Sequence, residues 1–154
     1  MKFKKWILAL LFLSLTAVAQ ADQKLTPTVF MDQWDQPQAL TSDVKWLIFS
    51  TTKDGGNWVK TQLEEMGIEN LQSKNWMYVA DVSQMPSLIT KFMAIPKMQD
   101  YKFAIALERE GEATADWPKQ EDAVNVYKLN ALTIEEVHTL TTQESVASFL
   151  NSIE

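Results

Sequence analysis

The sequence predicts an α/β domain in which a mixed central β-sheet carries helices on both faces. Three observations support this. Two unbroken apolar runs of strand length, Trp46-Leu-Ile-Phe49 and Trp76-Met-Tyr-Val-Ala80, suit strands covered on both sides. A segment with helical apolar spacing follows each run, which makes the connections crossovers between parallel strands. Val124–Leu129 and Thr133–Leu140 alternate apolar and polar residues, as the half-exposed strands of a hairpin do.

The chain opens with Lys2, Lys4 and Lys5, an apolar run from Trp6 to Ala17, and the small-residue exit Ala19-Gln-Ala21 before Asp22. This charge–apolar–small order predicts a secretory signal over 1–21, cleaved to release a domain over 22–154 in the periplasm. An apolar run of about a dozen residues is too short to span a bilayer of about 30 Å.

Leu25–Leu40 reads as two short strands around the polar turn Asp32-Gln-Trp-Asp-Gln-Pro37. After the Trp46 run, Thr51–Asn57 is a polar loop holding Gly55 and Gly56. A helix follows, with Asn57 as its N-cap, Val59, Leu63 and Met66 on one stripe, and Gly67 as its stop. A second helix spans Pro86–Ile95, with Leu88, Phe92 and Ile95 on a stripe, Ile89 and Met93 beside it, and Pro96 closing it. Lys102–Leu107 is a further buried strand, and the acidic stretch Glu108–Asp122 a solvated loop. The capping box Thr141-x-x-Glu144 starts a final helix with Val146, Phe149, Leu150 and Ile153 on one face. Phe49, Val79, Phe92, Ile105, Phe149 and Leu150 are expected in one buried core.

Composition narrows the chemistry. The 154 residues contain no cysteine, one histidine and four glycines. Disulfides, thiol nucleophiles and zinc–thiolate sites are therefore excluded, and neither a GxGxxG turn nor a P-loop is present. Removing three lysines and no acids with residues 1–21 leaves 14 − 3 = 11 basic and 20 acidic side chains, a net charge of −9. Such a surface disfavours nucleic acid and anionic membranes as partners.

From residue 45 onward the element order resembles the thioredoxin fold, and Asp32–Pro37 resembles the strand-turn that opens redoxin-type domains. Counting from Phe49, the two cysteine positions of that family's motif fall on Asp54 and Asn57, so Cys-x-x-Cys is replaced here by Asp-Gly-Gly-Asn. The resemblance implies a thioredoxin-like fold over about residues 28–153, without thiol–disulfide exchange. It also implies a cis-proline before a later strand. Pro96 is the nearest candidate, but Lys97–Tyr101 separates it from that strand, so it reads as a helix stop.

The candidate binding residues are Asp54, Gly55, Gly56, Asn57 and Trp58, with Asp100 and Tyr101 placed beside them by the resemblance. Backbone N–H groups at a helix start attract anions, and glycine admits close approach. Helix capping and turn formation account for the same residues. Asp81 ends a buried strand, where ligands bind in open α/β sheets, or else, together with Ser83, it caps the start of the next helix. His138 reads as a rim residue. The acidic run Glu108–Glu112 lacks the ligand spacing of a calcium loop. No catalytic residue, metal or cofactor is assigned. Trp58 and Trp117, in or beside polar loops, are candidate interface anchors. The expected role is non-catalytic binding of a periplasmic protein or peptide. The alternative is a small-ligand carrier or enzyme using the 54–58 loop, with flavin as the cofactor to test.

Overall fold

The computed structural model describes residues 22–154; the predicted signal, residues 1–21, lies outside the described residues. Seven strands form one sheet: β1 (Thr28–Met31), β2 (Pro37–Leu40), β3 (Trp46–Ser50), β4 (Trp76–Asp81), β5 (Ala106–Glu108), β6 (Val124–Asn130) and β7 (Thr133–Leu140). Their order is β2-β1-β5-β4-β3-β6-β7. β3, β4 and β5 run parallel, and the outer pairs are antiparallel.

Strand alternation sorts the apolar runs into two cores. Ile48, Tyr78 and Val126 face one side, while Leu47, Phe49, Val79 and Tyr127 face the other. Both faces are covered, by different kinds of structure. Helices α1 (Lys53–Glu65) and α4 (Gln143–Ser152) place Val59, Leu63, Val146 and Leu150 on the first side. Leu25, Phe30, Leu40, Val44 and Trp117 fill the second. The six expected core residues therefore split. Phe49 and Val79 lie in one cluster, Ile105 and Leu150 in the other, Phe149 is only partly buried, and Phe92 is 65% exposed.

α1 starts five residues earlier than the sequence implied. Thr52, with extended backbone, is the N-cap, and its Oγ1 accepts the Gly55 N–H at 3.1 Å. Gly55 and Gly56 thus belong to the first turn of the helix. A Cβ at Gly55 would come within 3.2 Å of both Thr52 Oγ1 and Val124 Cγ2, so the bare backbone lets α1 sit close to β6. The C-terminus ends as expected at Gly67 (φ +67°), with Ile68 N–H bonded to Leu63 O and Gly67 N–H to Glu64 O.

The second crossover also differs. α2 (Ser87–Ile89) passes through a π-helical turn (Thr90–Ala94) into α3 (Ile95–Met98), so the helix continues through Pro96. Proline lacks an N–H and crowds the carbonyl four residues back. The wider turn, in which Ile95 N–H reaches Thr90 O, relieves that conflict. Among the described residues no peptide bond is cis, so Pro96 is trans.

β5 begins at Ala106 rather than Lys102, because a side chain takes the backbone partners that a strand would need. Buried Gln33 donates from Nε2 to Phe103 O at 2.8 Å and accepts Ile105 N–H at 2.8 Å. The following stretch is not simply solvated. Glu108 is buried, and its carboxylate accepts the N–H groups of Glu110, Gly111 and Thr114. Trp117 is buried against Phe30, Phe49 and Tyr127, so it is a core residue and not an exposed anchor. The capping box of α4 lies one residue later than expected. Thr142 is the N-cap, exchanging hydrogen bonds with Ser145.

Candidate functional site

β3 and β4 end side by side where α1 begins, and the second crossover helix passes in front of them. The space between is a groove of about 370 Å³. Its floor holds Ser50 and Tyr78, whose hydroxyls are hydrogen-bonded at 2.8 Å and buried. Burial pushes the Tyr78 phenol up to about 12, against a smaller downward pull from the Ser50 hydrogen bond, so it stays protonated at neutral pH. A Cβ at Gly56 would lie 3.5 Å from Tyr78 Oη, so the glycine backbone alone covers this pair from the helix side. Thr51 also lines the groove, and its Oγ1 has no hydrogen-bond partner among the described residues.

The opposite wall is apolar. Met85, Ile89, Met93 and Met98 line it from the second crossover. Methionine is unbranched and polarizable, which makes such a wall adaptable to different shapes. The outer surface of the same helix exposes Leu88 (69%), Ile89 (44%), Phe92 (65%) and Met93 (67%), so the apolar wall continues onto open surface. Tyr101 closes one end, with the Lys60 ammonium 5.1 Å from its ring centroid. Partial burial raises the Tyr101 phenol above its ordinary range, with Lys60 opposing that shift.

Three charged residues line the groove: Lys53, Lys97 and Asp81. Asp81 Oδ1 accepts the Ser83 N–H at 2.9 Å, which holds the turn after β4. His138 is elsewhere, on β7, with Nε2 2.7 Å from Glu136 and its ring between Trp46 and Phe149. The groove thus contains hydroxyls with no imidazole beside them, an arrangement that hydrogen-bonds a ligand more readily than it activates a nucleophile. Among the described residues no three of His, Asp and Glu converge as metal ligands.

Of the residues singled out from sequence, Gly56, Asn57 and Tyr101 line the groove, and so does Asp81. Asp54 is exposed on the first turn of α1, Gly55 is buried against β6, Trp58 is half-buried against the helical core, and Asp100 is exposed. None of these four lines the groove. Ser50, Tyr78, Lys97 and the methionine wall went unread in the sequence. The available signal was the second apolar stripe beside Leu88 and Phe92, which gives that helix more apolar surface than one core contact uses. A smaller cavity of about 200 Å³ lies at the other end of β4, among Val44, Glu69, Gln72 and Trp76.

The architecture has known counterparts. Peroxidoxin BcpB from Mycobacterium tuberculosis superposes with a TM-score of 0.57 at 9% identity, covering 87% of this chain and 93% of its own. StoA from Bacillus subtilis gives 0.54 at 11% identity, over 81% and 96%. The thioredoxin domain of a thiol-disulfide oxidoreductase from Bacteroides vulgatus gives 0.52 at 7% identity, over 86% and 96%. No family model matches the chain, and no curated protein does. The fold is thioredoxin-like, in a chain without cysteine.

Proposed function

We propose that this chain is an exported, non-catalytic thioredoxin-like protein that binds polypeptide in the groove between α1 and the second crossover helix. The observation that carries the reading is the apolar wall of Met85, Ile89, Met93 and Met98, which continues onto exposed Leu88 and Phe92. A monomer seldom leaves neighbouring large apolar side chains on one short helix without a partner for them. Amphipathic surfaces of this kind, with polar groups at the base, accept extended or helical segments. A cysteine-free chain cannot carry out the thiol–disulfide chemistry in the Bacteroides vulgatus neighbour's name, whereas binding in the groove requires no thiol. Export rests on the order of residues 1–21. No helix among the described residues is long and apolar enough to cross a membrane.

The test is titration of the protein with labelled apolar peptides, comparing wild type with Met93→Glu and Ile89→Glu. Both substitutions should weaken binding at least tenfold while leaving the fold intact, because Met93 is 67% and Ile89 44% exposed and neither belongs to a buried cluster. Unchanged affinity in both variants removes this groove as the binding surface.

The groove volume favours one second reading, since about 370 Å³ falls within the range of small-ligand sites, roughly 300–1,000 Å³. A flavin or another small ligand is then the occupant. Purified protein that is colourless and gains no thermal stability from added flavin eliminates the flavin form of this reading.

A further inference from the structure

The charges around the groove run against those of the chain as a whole. Residues 22–154 carry 11 basic and 20 acidic side chains, yet two lysines and a single carboxylate line this site. Among the described residues Lys53 and Lys97 form no salt bridge, as is also true of Lys24, Lys45, Lys91 and Lys119, so both ammonium groups are free to meet a ligand at the groove. Asp81, whose Oδ1 accepts the Ser83 N–H, offsets one of the two lysines and leaves the described lining net positive. Unpaired cations on two different elements, α1 and α3, therefore border an apolar wall and a floor of hydroxyls. That combination suits a ligand with one anionic end and an apolar body.

We infer that the groove takes the carboxyl-terminal end of an apolar-tailed polypeptide. Lys53 and Lys97 receive the terminal carboxylate, and Met85, Ile89 and Met93 receive the side chains just before it. The inference rests on the polypeptide-binding reading and adds which part of the polypeptide is held. A terminal carboxylate also suits Asn57, whose amide is the uncharged donor beside Lys53. An internal segment offers the two lysines a carboxylate only where it carries Asp or Glu, whereas a chain terminus always does.

The probe is a hexapeptide ending in three leucines, labelled at its amino terminus and prepared with a free or an amidated carboxyl end. Fluorescence anisotropy with the purified protein should show the free acid binding about tenfold tighter than the amide, the scale of a charge-assisted contact. The double variant Lys53→Ala/Lys97→Ala should bind the two forms equally, with an unchanged melting temperature because both lysines are exposed. Equal affinities of acid and amide in wild type overturn the inference while leaving groove binding standing. Absence of binding for both forms removes the polypeptide reading itself. Decanoate displacing the free-acid peptide at lower concentration than unlabelled peptide assigns the site to acyl carboxylates and overturns the polypeptide occupant.

Discussion

Two phenylalanines that the sequence assigns to one core should respond to truncation with very different losses. Phe49 is fully buried, its ring centroid 5.1 Å from that of Trp117 in an edge-to-face contact and 5.7 Å from the Lys119 ammonium. Removing a core phenylalanine costs about 3–5 kcal/mol, of which the aromatic pair supplies about 0.5–1.5 kcal/mol. Phe49→Ala should therefore lose about 4 kcal/mol, a large part of the roughly 5–15 kcal/mol that holds a domain of this size. Phe92 keeps 65% of its surface exposed. Full burial of a phenylalanine contributes about 1.5–3 kcal/mol, so covering a third of it contributes about 0.5–1 kcal/mol. Phe92→Ala should lose no more than that. Urea unfolding followed by tryptophan fluorescence measures both, with Trp117 reporting from the Phe49 cluster. A loss above about 2 kcal/mol at Phe92 would mean that the second crossover helix turns its stripe inward. The exposed apolar surface, and the binding role built on it, would then be wrong.

Other perturbations probe the buried polar groups and one strained glycine. Glu108→Ala strands three backbone N–H groups and should cost about 2–4 kcal/mol, with faster proteolysis between 109 and 116; neutral behaviour would mean that the carboxylate does not organise this segment. Gly111→Ala should cost about 1–2 kcal/mol, because φ is +80° and a Cβ would lie 2.9 Å from Ser83 Oγ; a stable variant would contradict that backbone geometry. Burial raises both the Tyr78 and the Tyr127 phenols above their ordinary 10.0, Tyr78 to about 12. The folded state thus favours the neutral form, so this contribution is complete below about pH 10 and is lost as pH climbs through about 12. Melting temperature should fall across that window with phenolate absorption rising in step. Tyrosines that titrate freely near pH 10 in the folded protein would show that the floor hydroxyl is not desolvated.

The central strands were readable because burial on both faces leaves an unbroken apolar run, as in Trp46–Phe49 and Trp76–Ala80. The stop at Gly67 was readable because positive φ favours glycine there. What escaped notice depends on contacts between distant residues. Thr52 rather than Asn57 is the N-cap, with Gly55 fitting the close approach of α1 to Val124, a constraint visible only once β6 is in place. Gln33 shortens β5 from about 70 residues away in the chain. Trp117 lies in a polar stretch but is drawn into the core by Phe49 and Tyr127. The stripe Leu88–Phe92–Ile95 has helical periodicity, and periodicity reports an apolar face without naming what covers it. At the site, the sequence points to Gly56, Asn57, Asp81 and Tyr101 but places the start of α1 five residues late. It missed the methionine wall and the Ser50–Tyr78 floor, whose residues look like ordinary core in isolation.

Backbone amide shifts, mapped as the free-acid hexapeptide is added, test the groove most directly. Saturable changes are expected, confined to residues 50–57, 78–82 and 85–101, with Lys53, Asn57 and Met93 among the largest. Changes centred instead on the cavity by Val44, Glu69 and Trp76, or on the face covered by Trp117, would contradict groove binding.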